Sequence, residues 1–120
     1  METKNIVVEK SLDFGVEIVK FCELLEERRK YVVAEQLLKS GTSVGANVFE
    51  AQHAESKADF IHKFNIAAKE MDETEYWLEL CFTNYKHKEA SELLKKLEPI
   101  SKIITKIISS SKIKKLQSAN

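Results

Sequence analysis

The sequence is short of everything that makes turns. It has one proline and three glycines in 120 residues, which leaves little chemistry for hairpins and argues against a strand-rich fold. Its two cysteines, Cys22 and Cys81, are far apart and form no C-x-x-C. They suit reduced, buried thiols of a cytoplasmic protein better than a disulfide scaffold. No apolar run approaches the ~18 residues needed to span a membrane. The N-terminal METKNIVVEK is too charged for a secretion signal. Net charge is absent too, with 19 basic residues against 19 acidic, which argues against a generic polyanion binder.

What is present is 43% hydrophobic and 32% charged. That composition belongs to a soluble globular chain, and the length suits one domain, 1–120, with one core. The charge is unevenly spread. Residues 91–120 carry seven lysines against Glu92 and Glu98, an excess of five positive charges, so residues 1–90 hold an equal negative excess. A basic C-terminal third points to an anionic partner or, more blandly, to a solvated lysine-rich face.

Apolar periodicity predicts four helices, roughly 6–26, 31–54, 57–85 and 89–111. In the first, Val8, Leu12, Gly15, Val19 and Cys22 recur at helical spacing, and Phe14, Ile18, Phe21 and Leu25 widen the stripe. The third opens on Ser56 and Asp59, a capping box with Asp for the usual Glu. It continues through Phe60, Phe64, Ala67, Met71, Thr74, Leu78, Cys81 and Tyr85 at heptad spacing. The fourth uses Leu93, Leu97, Ile100, Ile104 and Ile107, with a kink or break expected at Pro99 and fraying from about Lys112. Its Lys88, Lys95, Lys102 and Lys106 form one stripe away from the apolar face, the candidate nucleic-acid contact. Together the segments predict an all-α, up-down-up-down four-helix bundle with left-handed antiparallel packing.

The second helix contains SGTSVGANVFEA, residues 40–51. Two glycines here suggest a phosphate loop, but there is no GK[ST], and helical period runs through both. Each interior glycine costs a helix about 1 kcal/mol against alanine; Gly41 and Gly45, four apart, would offset this by letting a neighbouring helix approach closely. The opposite face, with Ser40, Ser43, Asn47 and Glu50, has no lysine or arginine between residues 40 and 54. It reads as a surface for close approach or, alternatively, as a short polar patch in water. The third helix offers a matching flank of Ile66, Glu70, Glu73, Trp77 and Leu80. An aromatic among aliphatics and carboxylates suits a subunit interface.

Two constellations carry possible chemistry. Glu50 and His53 match the Glu-x-x-His of di-iron bundles, but they lie at one end of the expected bundle. Helix 4 offers only Lys112 and serines at that level, and helix 1 only Glu9. Glu70 and Glu73, one turn apart, could form an acid/base pair, yet nothing orients them. No cofactor or metal is expected.

Residues 36–80, QLLKSGTSVGANVFEAQHAESKADFIHKFNIAAKEMDETEYWLEL, resemble the four-helix-bundle family that includes proteins encoded in intervening sequences of bacterial 23S ribosomal RNA genes. The chain is also similar to the accessory variability determinant proteins of diversity-generating retroelements, which work with a reverse transcriptase and its RNA. The resemblance implies a ring-like homopentamer. The family pattern covers Ser43, Gly45, Asn47 and Glu50, then Phe60, Glu70, Glu73, Thr74, Tyr76, Trp77 and Leu78, with no catalytic role attached. The retroelement proteins are strongly basic and this chain is neutral, which leaves the helix 4 stripe as its candidate for nucleic acid. The expectation is a non-catalytic homo-oligomeric module with structured RNA or an RNA-handling protein as partner. The alternative is an enzyme built on Glu50/His53 or Glu70/Glu73.

Overall fold

A computed structural model describes residues 5–119. The elements are α1 (Ile6–Glu27), α2 (Tyr31–Ala51), α3 (Lys57–Tyr85) and α4 (Lys88–Ala119). Each helix packs on its chain neighbours and α1 closes against α4, while no α1–α3 or α2–α4 backbone pair comes close among the described residues. The result is the expected four-helix bundle, 55 Å along its longest axis.

Local chemistry sets the ends. Ser56 caps α3 by accepting the Asp59 N–H at 3.0 Å, and the Asp59 carboxylate accepts the Glu55 N–H at 3.2 Å. The shorter aspartate thus reaches the residue before the cap, where glutamate would reach the cap itself. α1 ends with Lys30 N–H on the Leu25 carbonyl and Arg29 N–H on the Glu26 carbonyl. This is a Schellman motif with Arg29 at φ 62° in the left-handed position usually held by glycine. Lys86 holds the same conformation after α3.

Three expectations need correction. Of the kink or break expected at Pro99, the break is absent: α4 is helical through Pro99 and reaches Ala119, where fraying from Lys112 is expected from the sequence. α2 ends at Ala51, three residues short of the predicted 54. In α1 the core face is Val7, Phe14, Ile18, Phe21, Cys22 and Leu25. Leu12 and Val19, placed on the principal stripe by their spacing, are exposed. The broad apolar surface of α1 is therefore two faces, and the aromatic one won the interior because it buries more area per residue.

Gly41 and Gly45 sit where α2 crosses α1. A Cβ on Gly41 would lie 2.7 Å from Ile18 Cγ2, and one on Gly45 would lie 3.2 Å from the Ser11 carbonyl oxygen. Cys22 and Cys81 are both buried and free. No α1–α3 backbone pair lies within 8 Å, too far for a disulfide.

Candidate interaction surfaces

The α2/α3 seam gathers most of the residues singled out as an interface. Ser43, Asn47, Ile66, Glu70, Trp77 and Leu80 are half-buried, and Glu50 and Glu73 are exposed. The Asn47 amide donates to the Ser43 carbonyl at 2.9 Å, and Lys63 bridges to Glu50 at 3.0 Å across the two helices. Trp77 lies against the core with its indole N–H on Glu73 at 3.2 Å, edge-on to Tyr76. Burial, then the Glu73 charge, raise the Glu70 carboxyl above its ordinary range. Ser40 is the exception: it is 1% exposed and belongs to the core, where its hydroxyl accepts from Thr74 at 3.0 Å. It sits one turn before Val44 on the α3 side of α2, so a helical wheel places it at the boundary and the packing of α3 decides its side.

A second surface lies on the other side of α2. Val8, Leu12, Gly15, Val16 and Val19 of α1 face Thr42, Gly45, Ala46 and Phe49 of α2 across a groove of about 480 Å³. No charged side chain lines it. Leu12 is 64% exposed, Val16 46% and Phe49 59%. Leu12, Gly15 and Val19, expected in the core from their spacing, line this groove, while Val8 both lines it and packs against the core. The missed signal was that α1 has more apolar positions than one side of a helix can bury.

The remaining candidates are dispersed. Glu50 is committed to Lys63, while His53 is exposed, its ring tilted against Phe49 with centroids 5.6 Å apart. Among the described residues no group of three or more His, Cys, Asp or Glu side chains could hold a metal ion, and nothing indicates catalysis. Lys88, Lys95, Lys102 and Lys106 are exposed. Lys95 and Lys102 line a shallow α3/α4 groove together with Glu75, Glu79 and Glu98, which offset their field. No described helix is long and apolar enough to cross a membrane.

A family model described as 23S rRNA-intervening sequence protein matches residues 3–106. No curated protein matches the chain. Among solved structures, the chain is similar to a protein of unknown function from the S23 ribosomal protein family of Bacteroides thetaiotaomicron. That match has 46% identity and a TM-score of 0.80, over 85% of this chain and 97% of the other.

Proposed function

We propose a non-catalytic self-assembling binding module, starting from the family to which this chain belongs, that of the 23S rRNA-intervening sequence proteins. The observation that carries the reading is the uncharged α1/α2 groove. An apolar face with side chains as open as Leu12 and Phe49 is not stable in water without a reason. Covering each such side chain gains on the order of 1–2 kcal/mol, and patches of this kind mark interaction sites. The α2/α3 strip, on the other side of α2, supplies a second and different face. Two different faces meeting head to tail generate a ring when the rotation closes. Adjacent faces of a four-helix bundle stand at roughly a right angle, which suits a closed ring of roughly four or five copies. Five is the number that the resemblance implies. The partner favoured here is RNA, presented with several copies of one surface around the ring.

The test is mass in solution. Light scattering at micromolar concentration should give a multiple of the 13.8 kDa chain. The double variant Leu12→Glu, Val16→Glu should fall to a monomer with unchanged helicity, because neither side chain packs inside the bundle. A monomer mass for the unmutated chain refutes the reading.

A further inference from the structure

The end of the bundle that carries the α1–α2 and α3–α4 turns concentrates cations. Arg28, Arg29 and Lys30 lie in the first turn, Lys86 and Lys88 beside the second. The two turns converge in space: the Lys30 ammonium lies 4.7 Å over the Tyr85 ring, and the His87 ring lies 5.5 Å from Tyr85 and 5.7 Å from Phe21. Glu26, Glu27 and Glu89 are the acidic residues at this end.

Helix dipoles account for part of this. Arg28, Arg29 and Lys86 follow the C-terminal ends of α1 and α3, where positive charge is favoured. They do not account for Lys30 and Lys88, which stand at the starts of α2 and α4, where positive charge is disfavoured. α2 makes the conflict sharpest. Its N-cap is Lys30, with no side-chain cap and no acidic residue in its first turn. Its first N–H groups therefore point outward among cations. Arg29 and Lys86 also hold left-handed backbone that glycine would adopt at less cost. His87 is 7% exposed and packs between the rings of Tyr85 and Phe21. An uncapped helix start and five cations brought together from two turns form a surface suited to an anion. Tyr31, 60% exposed at the start of α2, adds a flat apolar ring beside the charges.

We propose that this turn end is the module's nucleic-acid site, taking phosphates of a single-stranded RNA segment on Arg28, Arg29, Lys30, Lys86, Lys88 and the α2 N-terminus, with a base stacked on Tyr31. Aromatic rings beside cations favour single-stranded nucleic acid over an acidic peptide, since every base has a stacking face. The inference deepens the RNA reading above and moves the contact from the middle of α4 to its first turn, keeping only Lys88 of the lysine stripe.

The probe is a labelled single-stranded RNA of about 20 nucleotides, long enough to cover one site, titrated into the full chain at two salt concentrations. The main variant is Arg29→Gly with Lys86→Gly. Glycine suits both left-handed positions, so charge is removed while the fold is kept. Expected is a loss of tenfold or more at low salt, and a salt slope shallower by about 0.7 for each phosphate contact removed. Tyr31→Ala should weaken binding roughly tenfold without changing that slope. Lys95→Gln with Lys102→Gln and Lys106→Gln should bind nearly as the unmutated chain does. Undiminished binding by the double glycine variant overturns the site. Loss in the stripe variant instead returns the contact to α4 and equally overturns it. No binding by the unmutated chain at low salt overturns both the site and the RNA reading. Mass measured on the same samples keeps the assembly reading separate from either result.

Discussion

Replacing each glycine by alanine should change stability with a sign set by its surroundings. In a helix interior, alanine gains about 1 kcal/mol of propensity over glycine. At Gly15 nothing lies within 4 Å of the new Cβ, so Gly15→Ala should stabilise the fold by roughly that amount. At Gly41 the same methyl would meet Ile18 Cγ2 at 2.7 Å and Cγ1 at 2.9 Å. Ile18 is fully buried and both atoms are bonded to its Cβ, so the contact is not relieved by moving a flexible end. Overpacking of this kind costs typically about 1–3 kcal/mol, which cancels or exceeds the propensity gain of about 1 kcal/mol, and Gly41→Ala should destabilise by up to about 2 kcal/mol net. Gly45 lies between, with the Ser11 carbonyl oxygen at 3.2 Å. Its neighbour is backbone, so the gain should be lost and the variant should be neutral to mildly destabilising.

The assay is urea unfolding followed by circular dichroism. Because Gly15 lines the proposed contact groove, the series is best run in the Leu12→Glu, Val16→Glu background. The order should be Gly15→Ala, then Gly45→Ala, then Gly41→Ala, from most to least stable. The cause can be isolated by a double-mutant cycle. Ile18→Ala alone should cost about 2–5 kcal/mol, and the cost of Gly41→Ala should largely vanish in that background, since the colliding atoms are gone. If Gly41→Ala stabilises as much as Gly15→Ala does, the close α1–α2 crossing is not what holds glycine at position 41.

Two further outcomes follow from buried titratable groups. Burial, with the neighbouring Cys81 and Glu26 charges, pushes the Cys22 thiol up to about 12, and burial pushes Cys81 up to about 11. Neither thiol should react with iodoacetamide at neutral pH until the chain unfolds, and rapid labelling of the native protein would contradict this burial. His87 is held below its ordinary value of 6.5, first by burial and then by Arg28. A folded-state value below the unfolded one means that the unfolded chain binds the proton more tightly. The native state therefore keeps this contribution above pH 6.5 and loses it as pH falls through the unfolded value toward the folded one. His87→Phe should flatten the loss of stability between pH 7 and 5, and an identical pH profile in the variant would remove His87 as its source.

What the sequence made legible was set by how many forces agreed at each position. In α3, capping chemistry at Ser56 and Asp59 and a heptad seam through Phe64, Met71 and Leu78 all point to one helix with one buried side, and that is the helix found. At Pro99 a single local penalty stood against the packing of Leu97, Ile100 and Ile104 on the core, and packing prevailed. Ser40 shows the opposite limit. Its small hydroxyl is compatible with water and with the interior, and only the Thr74 hydroxyl on another helix decides the matter. No property of α2 alone contains that information.

α1 carries the sharper lesson for sites. Periodicity detects apolar residues but does not say what covers them, so an apolar face left open and one packed in the core look alike. Leu12 and Val16 have the residue types of an interior and the exposure of a surface. The turn end was invisible for a related reason. EERRK, residues 26–30, and NYKHK, residues 84–88, are far apart in the sequence, and only the fold brings Lys30 over Tyr85 and sets His87 near Tyr85 and Phe21. In both places the informative feature is what packing leaves at the surface, an uncharged groove in one case and a group of cations in the other. Such a feature appears only after the helices have packed. The two features also lie on different parts of the protomer, the groove along the flank and the cations at the turn end. An assembly made through the flank would leave the turn ends of all its copies free and bring them to one rim.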